Sequence, residues 1–595
     1  MTWVSSKIRI GLVFTLLLGT FGAIFRPFFP VAPGFVGHDY SFAFTSLLAG
    51  HFWFRNNGLS PPWFTPSFCA GQPFFADPQS GYYSLPQFLS FMVSPLTAAY
   101  WTLLISAALM FWGGYLLMRR AFESSVTVAV LVGGLLMFNG FLPHRLLVGH
   151  LGYHGFALTP WIALLLLRPV PHPAGNLAAA IGAGLLLAYW VHSGFGTLIL
   201  AGGLAITLVA LLYALNGGFF ARLFTRWVLA GVIALGLSAA KLWASFSFLA
   251  NFQRTDYLLP GAPSIHDAVM MIAGALLLPS QWAYEFGYPR LVNVQWWLTP
   301  HEWAFNFGMV TGLLALALIV DLVRNGTWRV PVSPRRVLLW VLLILGMIWP
   351  VAFNVYYPAW NAFLKTVPIL NSASTAVRWV IVYVPVIAVG VGLMLDRARW
   401  GNARIFVAGI CLLATVLQTA IEPRDYYLSQ GYDVRPVVFA DRQLRADILT
   451  PRINALGTSA EIQADGGHFR LGGNDTFIAG VSQVFCYNPI FGYRLERFSA
   501  EGLKPGSVFD EHGGFLNLKN PACYVFPKEN NCRPGDRFRA DQLAQAMDFV
   551  EYRPYIFQIP PGQMAANLVT QGTLVLLGMA ALAWMFRSFF RRRSA

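Results

Sequence analysis

Long apolar runs separated by short polar stretches extend over most of this chain. A helix that crosses a bilayer needs about 20 predominantly apolar residues. The fourth and fifth runs are shorter than this, which is typical of tilted or re-entrant segments. The pattern predicts about twelve crossings, at residues 8–30, 96–118, 125–142, 155–168, 177–193, 195–214, 228–247, 304–323, 336–354, 376–395, 404–420 and 564–586.

Composition agrees with this pattern. Of the 595 residues, 56% are hydrophobic and only 11% are charged, whereas a soluble globular chain carries about 25% charged residues. The formal net charge of +15 does not indicate nucleic-acid binding, because the basic residues lie in short linkers between apolar runs. Such linkers mark the cytoplasmic side of a membrane protein. They are "RRAF", "RLFTRW", "VRNGTWRVPVSPRR", "DRARWGNAR" and the terminal "RSFFRRRSA".

Placing these basic linkers inside puts both termini in the cytoplasm and the long linkers outside. The last long linker, residues 421–562, alternates stretches such as "HFRLGG" with turn signals such as "GGND" and "RPGD", which indicates a small α+β domain. The expected fold is therefore a polytopic α-helical membrane protein with a small α+β extracytoplasmic domain near the C-terminus. Its predicted parts are a membrane module (1–420) with outer linkers at 31–95, 248–303 and 355–375, the outer domain (421–562), and a last helix with a basic cytoplasmic tail (563–595).

The five cysteines include no C-x-x-C pair, so a structural zinc site is not expected. Cys523 and Cys532 flank the polar stretch "CYVFPKENNC". Because disulfides form in oxidising compartments, an outer location predicts a bond between these two. The sequence does not assign partners to Cys69, Cys411 or Cys486.

Two acids of the first outer linker, residues 31–95, are candidates for chemistry. Asp39 lies in "GHDYSFAF", where it either caps the helix that follows or acts as a general base whose pKa is raised by a half-apolar pocket. Asp77 lies in "FFADPQSGYY", where it either forms a turn before Pro78 or supplies a second acid. Both alternatives stay open for both residues.

Polar residues also gather in "FNGFLPHRLLVGHLGYHGF", an expected outer turn. It contains His144, Arg145, His150 and His154, without the spacing of a metal site. Polar side chains at this depth either line a hydrated cavity, where Arg145 and the imidazoles hold a phosphate, or satisfy helix ends.

Three further cations lie near outer helix ends. Lys241 interrupts an apolar helix, which is costly unless the charge is paired or functional. Arg254 follows in "NFQRTDY". Arg378 opens a predicted helix, where it either binds an anion with the free N–H groups or reaches lipid phosphate. In "WLTPHEWAFNFG", Glu302 is a further candidate second acid or a first-turn acid.

The chain has no nucleotide-phosphate loop, nucleophile elbow or dinucleotide fingerprint. An enzyme that works outside the cytoplasm has no nucleotide sugar to use, so its activated donor must be carried by the membrane. A lipid-linked sugar phosphate meets this requirement.

Several motifs of residues 1–420 together resemble the YfhO-like bacterial membrane proteins, which are grouped with the C-type integral-membrane glycosyltransferases. They are "GHDYSFAF", "SPPWFTPSFCAGQPFFADPQSGYYSLPQFL", "FNGFLPHRLLVGHLGYHGFALTPW", "LSAAKLWASFSFLANFQRTDY", "HEWAFNFGMVTG" and "LNSASTAVRWVIVYVP". The resemblance implies a polyprenyl-phosphate-sugar donor, a bacterial inner membrane with the active site on its periplasmic or extracellular face, no cofactor, and an acid of the first outer loop as base. The matching acid is Asp39.

The leading hypothesis is an inverting, metal-independent glycosyltransferase with a glycan, lipid or polymer acceptor and Asp39 as base; a divalent metal stays open. The expected donor-phosphate ligands are Arg378, Arg145, Lys241, Arg254, His144 and His150. The expected sugar or acceptor ligands are His38, Tyr40, Trp53, Trp63, Gln72, Gln79 and His301, with packing as the alternative for the two tryptophans. The alternative functions are a transporter or flippase of lipid-linked saccharides and a non-catalytic protein of envelope polysaccharide assembly.

Overall fold

The computed structural model is mostly helical, as the apolar pattern predicts. It describes residues 2–29, 34–218, 220–252, 259–294, 298–325, 333–367, 370–429, 431–491 and 495–593. Within these ranges the first twelve α-helices are α1 (Thr2–Phe25), α2 (Tyr40–Asn57), α3 (Leu85–Ser90), α4 (Pro95–Arg120), α5 (Val126–Met137), α6 (Phe141–Val148), α7 (Thr159–Leu167), α8 (Pro173–His192), α9 (Ile199–Leu215), α10 (Phe220–Asn251), α11 (Ile265–Leu277) and α12 (Ser280–Gly287).

The helices that follow in the described ranges are α13 (Met309–Arg324), α14 (Pro334–Phe353), α15 (Pro358–Leu364), α16 (Tyr383–Arg397), α17 (Ala403–Ala420), α18 (Asp425–Ser429), α19 (Arg435–Arg445), α20 (Ala522–Val525), α21 (Leu543–Val550) and α22 (Pro561–Arg593). Short 3₁₀ segments join some of them, and those at Leu151–Leu158, Pro300–Trp303 and Val377–Val382 matter for the site.

The strands are short and lie mostly in the C-terminal segment, residues 421–562. They are β1 (Phe35–Val36), β2 (Phe64–Thr65), β3 (Gln72–Pro73), β4 (Tyr432–Asp433), β5 (Ala455–Gly457), β6 (Ala460–Ala464), β7 (Gly467–Leu471), β8 (Val481–Gln483), β9 (Gly506–Ser507), β10 (Glu511–His512), β11 (Phe515–Lys519) and β12 (Arg537–Arg539). The described sheets have the orders β1–β4, β2–β3, β6–β7, β8–β5–β9 and β10–β11–β12. The β5–β8 pair is parallel, and the other pairs are antiparallel.

Nine helical stretches in the described ranges are long and apolar enough to cross a membrane: Ile8–Phe28, Pro95–Arg120, Val126–Val148, Pro173–His192, Phe224–Asn251, Pro334–Phe353, Val377–Arg397, Ala403–Ser429 and Pro561–Met585. Shorter apolar helices lie at Leu151–Leu167, Ile199–Leu215 and Ile265–Leu277. The run predicted at 304–323 forms α13, which has 16 residues and is not one of the nine. The linker expected outside at 248–303 contains the helix α11, which is apolar, has 13 residues and is not one of the nine. The count of twelve crossings stays a prediction.

Local sequence signals account for several helix boundaries. Ser94 accepts a hydrogen bond from the Thr97 N–H at 3.3 Å, and Pro95 follows as the first residue of α4. Ser333 and Pro334 open α14 in the same way. A serine cap followed by proline starts a helix well, because the missing proline N–H would have had no helical partner.

The run predicted at 125–142 is interrupted near its end. The α5 helix ends at Met137, and the Asn139 carboxamide oxygen accepts the Phe141 N–H at 3.0 Å before α6 begins. This turn directs the first residues of α6 toward the segment at Pro300–Trp303, because the Gly140 N–H donates to the Asn306 carbonyl at 2.9 Å. The interruption carries the polar residues of α6 into the interior.

Three of the basic linkers meet at one end of the helical bundle. The Ser125 N–H, next to "RRAF", donates to the Asp396 carboxylate of "DRARWGNAR" at 3.3 Å. The Arg397 guanidinium of that same linker donates to the Asn216 side chain, just before "RLFTRW". Their convergence agrees with a single side for these linkers, as the distribution of charge predicts.

The first linker packs into the C-terminal segment rather than standing apart from it. Strand β1 pairs with β4, and His51 Nδ1 of α2 lies 3.1 Å from Asp441 Oδ1 of α19. A disulfide joins Cys69 to Cys486, with their Cα atoms 5.1 Å apart. A second disulfide joins Cys523 to Cys532 within the C-terminal segment. The described part of residues 34–94 and the C-terminal segment therefore form one interlocked unit.

Candidate functional site

A cavity of about 520 Å³ lies where the first linker, the turn between α6 and the next 3₁₀ segment, and the C-terminal segment meet. Its volume is in the range of small-molecule binding sites, about 300–1,000 Å³. The polar and charged residues that line it are His38, Asp39, Ser46, Gln72, Asp77, Gln79, Ser80, Tyr82, Ser84, Gln87, His150, Tyr153, Ser193, Thr299, His301, Glu302, Arg378 and Tyr487.

Asp39 directs its carboxylate to histidines rather than to the helix that follows it. It occupies the residue before α2, yet its side chain makes no capping hydrogen bond there. Its Oδ2 lies 2.6 Å from His150 Nε2, and its Oδ1 lies 3.5 Å from His38 Nε2. The capping role is therefore absent from the structure, and Asp39 and His150 form a hydrogen-bonded pair.

A glycine allows this pair to form. The Asp39 N–H donates to the Val148 carbonyl at 2.9 Å. Gly149 has φ +109°, and a Cβ at this position would lie 2.4 Å from the Tyr40 backbone nitrogen and 2.6 Å from the Asp39 carbonyl carbon. Only glycine combines this backbone conformation with so close an approach. The two chain segments touch, and His150 follows directly.

The expectation that Asp39 has a raised pKa is wrong. Burial by itself raises the pKa of this carboxyl, but the hydrogen bond and charge of His150, with the charges of His38 and Arg378, hold it below the ordinary value. Burial also lowers the pKa of His150, and Asp39 offsets only part of this effect. At neutral pH the carboxylate is therefore ionised, and a neutral His150 donates its Nε2–H to it. The sequence argument counted burial and omitted the partner.

Glu302 is held between two arginines. Arg145 Nη2 lies 2.6 Å from Glu302 Oε2, and Arg378 Nη2 lies 2.5 Å from Glu302 Oε1. Burial raises the pKa of Glu302, but Arg145 and then Arg378 hold it well below its ordinary value. A carboxylate fixed in this way does not exchange protons near neutral pH, so Glu302 does not fit the role of a second acid. The two cations and one anion leave a net charge of +1 at the cavity wall.

Lys241 does not point into the cavity. Its Nζ lies 3.2, 3.2 and 3.3 Å from the carbonyl oxygens of Phe75, Asp77 and Ser80. An ammonium group has three N–H donors, so this contact uses all of them. Lys241 fixes the linker that bears Asp77, which does not fit the expected role in phosphate binding.

Asp77 lines the cavity and forms a local turn. Its Oδ1 accepts the Gln79 N–H at 2.7 Å, as in the turn that the sequence offered as one alternative. Burial raises the pKa of Asp77 above its ordinary value, while the Gln79 N–H, Lys241 and Asn488 offset part of the shift. The two linker carboxylates thus differ in environment.

Some of the expected ligands lie away from the cavity. Tyr40 donates to the Leu146 carbonyl at 2.6 Å, and Trp53 donates to the Ser60 carbonyl at 2.9 Å. Trp63 packs edge-on against Phe557, with ring centroids 5.4 Å apart. Packing therefore accounts for both tryptophans.

Two expected phosphate ligands are also removed from the lining, and one cannot be placed. The His144 ring is buried with Nδ1 2.8 Å from the Gly140 carbonyl oxygen. Arg145 is fully buried and contacts Glu302 instead of lining the cavity. Arg254 lies outside the described residues. In the described ranges, no group of three or more His, Cys, Asp or Glu side chains is arranged to hold a metal ion.

Two parts of the lining were not recognised in the sequence. Tyr487 and Pro489 come from the C-terminal segment, and Ser193 follows α8. A signal for the first was present: Cys69 in "FCAGQPF" and Cys486 in "FCYNPIFG" are both in linkers expected outside, where cysteines pair. Nothing in the sequence near Ser193 distinguished it from other serines at helix ends.

Comparison with known proteins gives a weak structural likeness. No protein-family model and no curated protein matches the chain. A crystal structure of the Archaeoglobus fulgidus oligosaccharyltransferase with a tethered acceptor peptide matches with TM-score 0.40 and 14% identity over 81% of this chain and 64% of that one. A structure of that organism's enzyme with Zn and sulfate matches with TM-score 0.37 and 15% identity, over 74% of this chain and 55% of that one.

A third match, archaeal oligosaccharyltransferase AglB from Archaeoglobus fulgidus with an inhibitory peptide and a dolichol-phosphate, has TM-score 0.35 and 14% identity, over 74% of this chain and 58% of that one. The chain thus spans less than two thirds of the length of these structures. Likeness at these TM-scores carries no argument about chemistry, so function is argued from the cavity itself.

Proposed function

We propose that this protein is a membrane glycosyltransferase that moves a sugar from a polyprenyl-phosphate-linked donor to an extracytoplasmic glycan, lipid or polymer acceptor. The observation that carries the proposal is that one cavity is lined by an ionised carboxylate, Asp39, and by an arginine, Arg378. Transfer from a lipid phosphate needs both, because a hydroxyl must lose a proton while a phosphate leaves with negative charge.

Asp39 serves as the general base in a single inverting displacement. Its Oδ2 is engaged by His150, whereas among the described side chains its Oδ1 contacts the more distant His38 ring, 3.5 Å away. Oδ1 takes the proton of the acceptor hydroxyl, whose oxygen then attacks the anomeric carbon. The bond from that carbon to the phosphate oxygen breaks, and the polyprenyl phosphate departs with the electron pair.

Arg378 stabilises the departing phosphate. Its guanidinium is oriented by Glu302, and Arg145 behind Glu302 contributes a second positive charge. Groups fixed before the reaction stabilise developing charge without having to reorganise. The net charge of +1 in this cluster lies beside the carboxylate that acts as base, so proton acceptance and phosphate departure occur in the same cavity.

The cavity faces away from the cytoplasm in this proposal, in a bacterial inner membrane. Two disulfides support that side, because they lie in the linker and C-terminal segment that form the cavity and disulfides persist in oxidising compartments. Three of the basic linkers contact one another at one end of the bundle, and this supports a cytoplasmic location for that end.

The test is transfer by the purified protein in lipid nanodiscs, with synthetic polyprenyl-phosphate sugars and envelope glycans as acceptors. Asp39→Asn keeps size and hydrogen bonding but cannot take a proton, so we expect transfer to fall at least about 100-fold, the lower range for a positioned general base. Donor binding should persist. Asp541→Asn, at an exposed position of the C-terminal segment, is the matched control and should transfer normally.

Normal transfer by Asp39→Asn would refute the base assignment. Donor translocation across the membrane without any transferred sugar would instead favour the flippase alternative. For this comparison, transfer and translocation are both measured on protein reconstituted in sealed vesicles. Donor binding then shows whether a variant that has lost transfer is still folded.

A further inference from the structure

The lining of the cavity contains two groups of polar residues, each with one carboxylate, and these groups are called its two ends. Asp39, His150, His301 and Arg378 form the end that the proposed reaction uses. The other, the Asp77 end, is lined by Asp77, Gln79, Ser80, Ser84, Ser193 and Tyr487, with Gln72 between them and the C-terminal segment. Among the described lining residues the Asp77 end contributes no cationic side chain, because Lys241 directs its donors to backbone carbonyls.

Ser193 presents a hydroxyl without a protein partner. Its side chain is 1% exposed, it lines the cavity, and its Oγ forms no hydrogen bond with any described residue. An unsatisfied buried polar group costs about 1–3 kcal/mol. A residue of the cavity lining that keeps such a group is suited to a ligand that supplies the missing hydrogen bond.

The C-terminal segment supplies an aromatic wall at the same place. Tyr487 follows the disulfide-bonded Cys486, and its ring lies edge-on to Phe42 at 5.9 Å between centroids. The Asn488 Nδ2 donates to Gln72 Oε1 at 3.0 Å. These contacts fix the wall to the first linker. An aromatic face packs against the C–H face of a pyranose ring, while amides and hydroxyls bond the hydroxyl groups at its edge.

We propose that the Asp77 end binds the acceptor as a saccharide without acidic substituents. This inference rests on the proposed glycosyl transfer and adds the class of acceptor. Tyr487 forms the stacking platform, Ser193 and Gln79 bond ring hydroxyls, and the Asp77 carboxylate accepts from a hydroxyl or amino group. An acidic sugar binds less well because its carboxylate would face the Asp77 carboxylate, while the donors of the nearby Lys241 ammonium are already used by backbone carbonyls. The acceptor hydroxyl is thereby directed toward Asp39.

The test measures binding without catalysis. Protein in lipid nanodiscs is titrated calorimetrically with cellotetraose, with tetraglucosamine and with tetragalacturonate. We expect the first two to bind and the third to bind at least about tenfold more weakly, which corresponds to about 1.4 kcal/mol. Equal binding of all three, or no binding of cellotetraose and tetraglucosamine, would overturn the subsite.

Three variants separate the subsite from general packing. Tyr487→Ala should weaken saccharide binding about tenfold, whereas Phe485→Ala, at a 62% exposed position of the same segment, should leave it unchanged. Ser193→Ala should weaken binding about two- to tenfold while raising the melting temperature of the free protein, since it removes an unsatisfied hydroxyl. A residue with a merely structural role would lower both. Unchanged binding in both Tyr487→Ala and Ser193→Ala would contradict the proposal.

Failure of this inference and failure of the proposed function give different results. Asp39→Asn should still bind cellotetraose if the subsite is correct. Saccharide binding without any sugar transfer would support the proposed saccharide subsite and would refute the proposed transferase activity. Sugar transfer to tetragalacturonate as efficient as transfer to the neutral chain would leave the transferase and refute the subsite.

Discussion

At the residue scale, the proton affinity of Asp39 is set by several partners that act together against its depth. Burial is the largest single influence and raises the pKa of the carboxyl, but the hydrogen bond and charge of His150 at 2.6 Å, with the charges of His38 and Arg378, together lower it below its ordinary value. His150 is therefore a positioning residue: it holds the carboxylate ionised and leaves one oxygen toward the cavity. The Asp77 carboxyl, which has no such histidine partner among its described contacts, keeps a pKa raised by burial.

His150→Phe should move the acidic limb of the pH–rate profile to higher pH. The substitution keeps an aromatic ring but removes the hydrogen bond and the charge of His150, so the pKa of Asp39 rises even though His38 and Arg378 still lower it. Because the base works only when ionised, transfer then fails at a higher pH than in the unmodified protein. The measurement is the transfer rate from pH 4 to 8.

His172→Phe is the control for this prediction, because His172 is exposed at the start of α8 and does not line the cavity. Its profile should match that of the unmodified protein. A His150→Phe profile with the same acidic limb, whatever its height, would show that His150 does not set the protonation of the base.

At the element scale, the Arg145–Glu302–Arg378 cluster joins α6, the 3₁₀ segment Pro300–Trp303 and the segment Val377–Val382. Arg145 has no exposed surface, and its Nε and Nη1 have no partner among the described residues. The Arg145 guanidinium packs over the aromatic rings of Phe141 and Tyr153, whose centroids lie 5.6 and 5.7 Å from its Cζ atom. One glutamate thus compensates a buried charge and aligns three elements.

Glu302→Gln should destabilise the protein by about 3–5 kcal/mol, because it leaves the buried Arg145 charge without its counter-ion. The measurement is thermal and denaturant unfolding of the purified protein in nanodiscs. Glu285→Gln, at an exposed position of α12, should change the stability little. The double variant Arg145→Met/Glu302→Gln should recover part of the loss. Equal stability of Glu302→Gln and Glu285→Gln would contradict the buried-pair argument.

At the scale of the whole molecule, the C-terminal segment contributes a wall of the cavity through Tyr487 and Pro489. The Cys69–Cys486 bond spans 417 residues and holds Tyr487 beside the first linker, whereas the Cys523–Cys532 bond spans only 9. Arg445 adds to this attachment, because its Nη1 donates to the Phe91 carbonyl at 3.0 Å. Closing a longer loop restricts the unfolded chain more.

The double variant Cys69→Ala/Cys486→Ala should therefore lose more stability than Cys523→Ala/Cys532→Ala, and it should also bind cellotetraose more weakly. The expected loss for a native disulfide is about 2–5 kcal/mol. Unfolding and calorimetric titration of both variants provide the check. An equal or larger loss in the Cys523→Ala/Cys532→Ala variant, with normal saccharide binding in the other, would refute the role of the long-range bond.

The sequence predicts the helices well because hydropathy is local. Runs at 96–118 and 336–354 correspond to α4 and α14, with serine caps and prolines at their starts. It did not locate the break between α5 and α6 or the helix α11 inside the linker expected at 248–303, since a polar turn or a short apolar run has no distinctive period. Local motifs predicted that Asp39, Gln72 and Gln79 of the first linker belong to one site. In the structure all three line the same cavity.

Contacts between distant parts of the chain could not be predicted in this way. The Arg145–Glu302 pair, the Asp39–His150 pair and the Cys69–Cys486 bond each join segments that only the fold brings together. This explains why the sequence predicted a raised pKa for Asp39, which is wrong, and why it predicted that Lys241 binds the donor phosphate. When the partner of a charged side chain is unknown, only the effect of burial on its pKa can be predicted.

Gly149 gives the spacing of the proposed base an unusual origin. The carboxylate and the imidazole are held together by two stretches of main chain in direct contact, with no side chain between them. A methyl group added at Gly149 would clash with the backbone of Asp39 and Tyr40 and push the two segments apart. Asp39 and His150 would then separate although both side chains were still present. The geometry of the proposed base therefore depends on the absence of a side chain at Gly149.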